Sequence, residues 1–428
     1  MKTEPLERNI YFVIQPLHLV SRILGLHYTF LNEGGSSYCH ITQATLLILL
    51  LLYGLYDSVI AVVAYRETKF NVSATVLWVI NILVSHLTSI LALLFTVTKN
   101  RNHMTNVLSL LSRVDNKLFR KNSKESAYSQ QRSHVIKQLW VTFILFVIAF
   151  TSCVYALSDG TWTWYVYMAS LILSTVINNV MICQYVSIVR MVKQRYQLIK
   201  HMLSEAAITD DLRCSKHVDI EHFWSNSNEN YNKMFPMAAH NLQSDKNSHN
   251  LYTVRDLRLM CSELRDVLHA NNKSYDVLIL LYVITVFTMS VPTTYSGVTS
   301  IKDAILKNGS FQLYVKGLAV LFVCAVLLFV FLWLTTCCHG TTEEVQDILT
   351  CIQKLLLYPN ALGWSTSELK SFSSQLKNNK ADFNHCHYCL RYTVLWKYAP
   401  HKQTISFEIE SLEAATYKET QIQPGKRK

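Results

Sequence analysis

Charged residues are scarce in this 428-residue chain, since Asp, Glu, Lys and Arg together make up 16% of it. An average soluble domain carries about 25% charged residues, so a purely soluble protein and an intrinsically disordered one are both excluded. Glycine is scarce as well, and the 11 glycines form no phosphate-binding loop. No HExxH, Walker A or nucleophile-elbow motif occurs either. The sequence therefore gives no positive ground for an enzyme, and no cofactor is expected.

Hydrophobic residues are abundant instead, at 50% of the chain, and they are gathered into long blocks. A helix that crosses a hydrocarbon core about 30 Å thick needs roughly 20 mostly apolar residues. Six blocks reach that length: Thr42–Tyr65, Ala74–Thr98, Leu139–Leu157, Trp164–Val189, Asp276–Tyr295 and Leu313–Thr336. Lipid offers the backbone no hydrogen-bond partner, so these blocks must be helices. The sequence predicts an all-α, polytopic membrane helical bundle with six spans.

The basic residues are distributed unevenly between the segments that flank these spans. Grouping alternate segments puts 35 of the 40 Lys and Arg residues on one side of the membrane and 5 on the other. Because Lys and Arg accumulate in cytoplasmic segments, the N-terminus is predicted to be cytoplasmic. The net charge of +11 thus indicates orientation in a lipid bilayer, and no nucleic-acid partner is expected.

Two N-glycosylation sequons agree with this topology. Asn71-Val72-Ser73 and Asn308-Gly309-Ser310 both fall in predicted outside loops, where glycosyltransferases act. Asn71 and Asn308 are therefore the predicted glycosylation sites.

The segments outside the spans complete the predicted domain organisation. Residues 1–41 form a cytosolic or interfacial N-terminal segment, in which Ile10–Leu31 is an interfacial amphipathic stretch with Pro16 near its start. Spans one to four occupy residues 42–189, and spans five and six occupy 276–336. Cytosolic helices are predicted at 190–275, with a disordered linker at about 208–250, and again at 337–380. Residues 381–428 form an atypical polar tail. Capping boxes that start at Thr341 and Ser365 are predicted to open two of the cytosolic helices, which pack as a bundle.

Two short clusters contain side chains that could bind a metal ion. His217–His222 has the spacing of one desaturase-like histidine box, but a di-iron site needs further boxes and none occurs. His385–Cys389 supplies enough zinc ligands in number, yet lacks a second well-spaced pair. We therefore predict no metal site.

Polar and aromatic residues recur at helical spacing within three spans. The stripes are Trp164, Tyr167, Ser170, Ser174 and Asn178; Trp78, Asn81, Ser85 and Thr88, with His86 beside them; and Thr285, Thr288, Pro292 and Tyr295. Hydrogen bonding between helices accounts for many such residues. An ionisable Asp57 inside the first span favours a small-molecule pocket near the outer surface instead. Its predicted ligand-binding residues are Asp57, Trp78, Asn81, Trp164, Tyr167, Thr288, Ser290 and Tyr295.

Three segments of the chain resemble the insect gustatory receptor family. Gln15–Leu26, which reads QPLHLVSRILGL, is similar to the family's N-terminal "PL..L.RILGL" segment. Asp256–Asn272 is similar to the helix before the fifth span, and Thr341–Leu376, ending in FSSQL, is similar to the helix after the sixth span and its "F..QL" segment. The resemblance covers roughly residues 10–380. It implies a multi-pass ligand-gated cation channel of the plasma membrane, assembled as a homo- or hetero-tetramer with other receptor subunits and opened by tastants such as sugars or bitter compounds.

The same resemblance implies a seventh span with the hallmark "TYhhhhhQF", where h is hydrophobic, and the sequence lacks it. After Lys380 the best apolar stretch is Tyr388–Leu395, which is short and contains Arg391. We expect an alternative splice form, a frame change or a gene-model error at the tail, and a chain that inserts six spans but cannot conduct alone. A multi-pass transporter and a G-protein-coupled-type receptor remain as alternatives.

Overall fold

The computed structural model describes residues 7–26, 37–69, 72–98, 103–119, 121–157, 162–214, 253–306, 311–357 and 365–378. All of them belong to one compact unit, Met1–Asp382. They form helices and, within these ranges, no strands: α1 Glu7–Ile23, α2 Ser37–Lys69, α3 Val72–Thr98, α4 His103–Leu118, α5 Lys121–Leu157, α6 Trp162–Cys214, α7 Val254–Leu306, α8 Phe311–Leu357 and α9 Thr366–Asn378. The all-α prediction is confirmed.

Six of these helices are long and apolar enough to cross a membrane. The qualifying stretches are Ile41–Ile60, Val79–Thr98, Ala127–Ser152, Met168–Ser204, Val254–Leu306 and Phe311–Leu356, in α2, α3, α5, α6, α7 and α8. Each predicted span overlaps one of them, so the six-span prediction is confirmed. The chain is a multi-pass membrane protein.

Four helices are much longer than a bilayer requires. α6 and α7 have 53 residues each, α8 has 47 and α5 has 37. At 1.5 Å per residue the longest are about 80 Å long, against a hydrocarbon core of about 30 Å. They therefore continue past the apolar spans into a second helical layer, which we call the base and define as residues 103–119, 121–138, 190–214, 254–275, 337–357 and 366–378.

Apolar side chains and ion pairs hold the base together. Its core contains Met104, Leu111, Val192, Ile199, Leu257, Leu264, Leu268, Ile348, Ile352, Leu369, Phe372 and Leu376, all buried. Lys200 of α6 bonds Glu344 and Asp347 of α8, at 3.1 and 2.6 Å. Arg258 of α7 donates to the Ser371 hydroxyl of α9 at 2.7 Å. The predicted packing of these helices on one another is confirmed.

The predicted helix start at Thr341 is wrong. α8 passes through this position without a break, and the Thr341 hydroxyl donates to the carbonyl of Cys337, one turn earlier in the same helix, at 2.9 Å. An N-cap residue must leave the helical conformation, and buried Thr341 lies within a continuous apolar face that includes Cys338. The second predicted start is confirmed, because α9 begins beside Ser365, whose carbonyl accepts the amides of Glu368 and Leu369.

The sequence interpretation missed a reciprocal cap at the start of α7. The Thr253 hydroxyl accepts the amide of Asp256 at 3.2 Å, while the Asp256 carboxylate accepts the amide and the hydroxyl of Thr253, at 3.2 and 2.7 Å. The amide of Thr253 is satisfied in this way, and the amide of Asp256, which also bonds the carbonyl of Thr253 at 3.0 Å, gains a second acceptor. At the other side of the predicted 208–250 linker, α6 continues to Cys214, and residues 215–250 lie outside the described part of the chain.

The N-terminal segment folds into α1, with Pro16 inside the helix. Its apolar face is buried and faces α4, α5 and α6; the residues are Ile10, Val13, Ile14 and Leu17. α1 ends where Gly25 adopts a φ of 69°, and the amide of Leu26 bonds the carbonyl of Ser21 at 2.8 Å. This left-handed helix end favours glycine, which gives the RILGL segment a structural reason.

Candidate functional site

Buried hydroxyl and amide groups join α3 to α6 inside the membrane-spanning layer. Ser85 and Ser174 share a hydrogen bond of 2.9 Å between their hydroxyls, and Ser89 contacts the Ser174 hydroxyl at 2.8 Å. Ser89 also donates to the side-chain oxygen of Asn178 at 3.0 Å. We call these four residues the α3–α6 seam. Because Ser85 pairs with Ser174 and Ser89 with Asn178, the two helices run parallel.

His86 extends this polar contact towards α2. Its Nδ1 bonds the carbonyl of Ile82 at 2.8 Å, and its Nε2 bonds the Ser170 hydroxyl at 2.7 Å. Since a carbonyl only accepts, Nδ1 carries the proton and Nε2 accepts from Ser170. Gly54 of α2 lies directly against this hydroxyl, because a Cβ at Gly54 would collide with the Ser170 side chain. α2, α3 and α6 therefore meet at Ser170.

Two predicted site residues near this junction carry unpaired polar atoms. Asn81 is 0% exposed, and neither its amide nitrogen nor its amide oxygen has a hydrogen-bond partner. Oδ2 of Asp57 is likewise buried without a partner. A buried unpaired polar group costs about 1–3 kcal/mol, so such groups in a folded protein need an explanation such as a ligand or an ordered water.

The helix register brings these two residues to the same end of the bundle. Asp57 follows Gly54 by about one turn, towards the end of α2, and Asn81 precedes Ser85 by about one turn, towards the start of α3. α2 and α3 follow each other with only residues 70 and 71 between them, and they pack together as antiparallel neighbours. We call this the α2–α3 end of the bundle. Both residues thus lie on the same side of the Ser170 junction.

The predicted residues of α7 are arranged differently. Thr88 of α3 lies 3.5 Å from Thr285 of α7, hydroxyl to hydroxyl, so Thr285 faces α3. The hydroxyls of Thr288 and Ser290 instead donate to carbonyls of their own helix, and Tyr295 is 68% exposed. The structure therefore places Asp57 and Asn81 at the same end of the bundle, whereas the Ser290 hydroxyl bonds its own helix and Tyr295 is largely exposed.

The other predicted positions give no side-chain information. The side chains of Trp78, Trp164 and Tyr167 lie outside the described part of the structure, although their backbones belong to α3 and α6. Asn71, Asn308, His217–His222 and His385–Cys389 lie outside the described residues altogether, as do residues 381–428. Within the residues that are described, no group of three or more His, Cys, Asp or Glu side chains could hold a metal ion.

Sequence reasoning missed Gly54 and Ser89, the residues that complete the junction. Ser89 lies one residue beyond the predicted stripe of α3, but it makes hydrogen bonds to both Ser174 and Asn178. Its spacing of four from Ser85 was the available signal. Gly54 had no comparable signal, since only the approach of α6 requires a missing side chain there.

A second buried polar cluster lies in the base, away from the α2–α3 end. Arg195 of α6 forms a two-fold contact with Asp115 of α4, Nε to Oδ1 at 2.9 Å and Nη2 to Oδ2 at 2.8 Å. Tyr128 of α5 donates its hydroxyl to Oδ2 of Asp115 at 2.7 Å. The side chains of Arg195 and Asp115 are both 0% exposed. This cluster fixes three helices to one another and leaves no group free to bind a ligand.

His103, at the start of α4, is a titratable group of the base whose pKa is shifted by burial. Burial lowers the pKa of its imidazole from 6.5 to about 4, and the neighbouring side chain of Asn271 opposes that shift only partly. The imidazole is therefore neutral in the folded protein at pH 7. Its ring packs edge-on against Tyr275 of α7, with 6.2 Å between centroids.

The sequence was also compared with known proteins. The family model described as 7tm chemosensory receptor matches residues 14–388, which is most of the chain. None of the curated proteins with which the sequence was compared matches it.

Proposed function

The chain belongs to the 7tm chemosensory receptor family, and from this we propose that it is a gustatory receptor subunit of the plasma membrane. In this proposal it forms part of a ligand-gated, non-selective cation channel that senses small tastants such as sugars or bitter compounds. It assembles as a homo- or hetero-tetramer with other receptor subunits. Its N-terminus and its base are cytoplasmic, and the α2–α3 end faces outwards.

The unpaired polar groups at the α2–α3 end are the observation that supports this function. Every described polar residue of the α3–α6 seam has a partner, whereas the side chain of Asn81 is fully buried with none. A small molecule that supplies a donor and an acceptor would satisfy that amide. The proposed pocket includes Asp57 and Asn81, with Trp78, Trp164, Tyr167, Thr288, Ser290 and Tyr295 as its further predicted residues.

A dose–response measurement tests the site. Asn81→Ala should raise the ligand concentration for half-maximal response about tenfold, because one or two hydrogen bonds worth about 1 kcal/mol each are lost from the complex. Asn106→Ala is the matched control, since Asn106 lies exposed on α4 in the base. If the Asn81→Ala variant needs the same ligand concentration for half-maximal response as the unchanged chain, Asn81 does not belong to the site.

Channel activity needs a separate experiment. Residues 381–428 contain no apolar run of spanning length, so we propose that this chain contributes to a channel only beside a subunit that supplies a pore helix. Ligand-evoked current should appear when the chain is expressed with such a subunit and should be absent when it is expressed alone. Current from the chain alone would refute this part of the proposal.

The N-terminal orientation separates a receptor channel from a G-protein-coupled-type receptor. An N-terminal epitope tag should bind antibody only after the cells are permeabilised. Staining of intact cells would overturn the proposed topology.

A further inference from the structure

The carboxylate of Asp57 has no compensating charge in the described structure. It makes neither an ion pair nor a hydrogen bond there, and its Oδ2 is buried. α2 packs against α3 and α6, and neither Val79–Thr98 nor Trp164–Val189 contains a Lys or Arg. The titratable group that these stretches do bring to the junction is His86, and both of its ring nitrogens are already bonded.

An uncompensated carboxylate in a membrane-spanning layer is most favourably satisfied by a cation. Resting on the proposed ligand-binding function, we propose that Asp57 and Asn81 bind the ammonium group of a small organic amine. The ammonium donates to Oδ2 of Asp57 and to the amide oxygen of Asn81. The Asn81 nitrogen then donates to a hydroxyl or carbonyl of the same ligand.

The number of oxygen atoms without hydrogen-bond partners in this region favours an organic amine over an inorganic cation as the ligand. Hard metal ions are satisfied by about six oxygen ligands, and the described residues of this region offer three without partners, the two carboxylate oxygens of Asp57 and the amide oxygen of Asn81. The hydroxyls of Ser85, Ser89, Ser170 and Ser174 are already in hydrogen bonds. An ammonium group has three donors, which two or three acceptors satisfy. A neutral sugar would leave the carboxylate charge uncompensated.

The test compares primary amines with the alcohols of the same carbon skeleton. The full chain is purified in detergent, and its unfolding midpoint is followed by the fluorescence of its 8 tryptophans while the amine or the alcohol is titrated. We expect at least one amine to raise the midpoint saturably, with its alcohol binding at least about tenfold more weakly because it lacks the charge-assisted hydrogen bond.

Asp57→Asn supplies the decisive variant. It should abolish the preference for the amine over the alcohol and at the same time raise the midpoint without ligand, because it removes a half-buried unpaired charge. A purely structural role of Asp57 would predict a lower midpoint instead. Asp303→Asn, which changes an exposed carboxylate on α7 near the same end of the bundle, is the matched control and should keep the preference.

Each other outcome counts against a stated part of the argument. If no amine binds better than its alcohol, or if Asp57→Asn leaves the preference intact, the amine site is refuted. If NaCl alone protects the chain through Asp57, the site holds an inorganic cation and the amine is refuted. If fructose protects through Asp57 while amines do not, the amine class is wrong but the proposed pocket stands. If an amine binds through Asp57 but never changes current in cells, the amine site stands and the proposed channel function is wrong.

Discussion

Removing the carboxylate of Asp115 should destabilise this protein more than any change to a surface ion pair. Asp115 accepts hydrogen bonds from Nε and Nη2 of Arg195 and from the hydroxyl of Tyr128. In Asp115→Ala the guanidinium of Arg195 stays buried in the base and keeps its hydrogen bond from Nη1 to the carbonyl of Met191, at 2.9 Å. The variant thus exchanges a satisfied buried ion pair for an isolated buried charge.

The expected size of this effect follows from that geometry. Breaking a buried ion pair by removing one partner costs about 3–5 kcal/mol, mostly because the remaining charge has lost its compensation. Replacing both charged residues, as in Asp115→Leu with Arg195→Met, should recover most of that loss, since no charge is then left buried. The pair His339–Glu343 is the control: its side chains are 60% and 67% exposed, so Glu343→Gln should cost no more than about 1 kcal/mol.

Unfolding in mixed micelles measures these differences. The chain is titrated with sodium dodecyl sulfate and followed by tryptophan fluorescence, and the free energies of unfolding are extrapolated linearly to zero denaturant. The double variant must be more stable than Asp115→Ala, by about 2–4 kcal/mol. If Asp115→Ala stays within about 0.5 kcal/mol of the unchanged chain, or if the double variant is no better than the single one, the reasoning is wrong.

Three further predictions test other parts of the molecule. Gly54→Ala should cost about 1–3 kcal/mol by overpacking, because the new methyl group meets the Ser170 side chain; in a Ser170→Gly background, which has already lost the hydrogen bond to His86, the same change should cost much less. The free energy of unfolding should be largest above pH 6.5 and fall as the pH is lowered towards 4, because the unfolded chain protonates His103 before the folded chain does; His103→Gln should remove that part of the pH dependence. Thr253→Ala should cost about 0.5–2 kcal/mol through loss of the cap with Asp256, measured by the same denaturant titration.

The six spans could be predicted from the sequence because their signal is local. A block such as Leu313–Thr336 exceeds the length that a bilayer requires, and no tertiary contact is needed to recognise it. The ends of the helices outside the membrane could be predicted less well from the sequence. A capping pattern at Thr341 is compatible with a helix start, but the surrounding apolar face keeps α8 continuous, and only packing decides between the two.

The pairing between helices could not be obtained in this way. Periodicity showed which face of α3 carries Ser85 and which face of α6 carries Ser174, but not that these faces meet. Asp115 and Arg195 are separated by 80 residues and belong to patterns that read as unrelated charges on two amphipathic helices. Contacts of this kind depend on the global arrangement of helices, which a single sequence expresses only indirectly.

The unbroken course of α6 has a mechanical consequence. One rigid rod of 53 residues passes through both the serine contacts near its start and the base near its end, with no joint between the two. Cys214 lies roughly 60 Å along the axis from Ser174. A tilt of about 5° around Ser174 would therefore displace the far end by about 5 Å. A small tilt of α6 near Ser174 therefore moves its C-terminal end in the base by about the length of one helical turn.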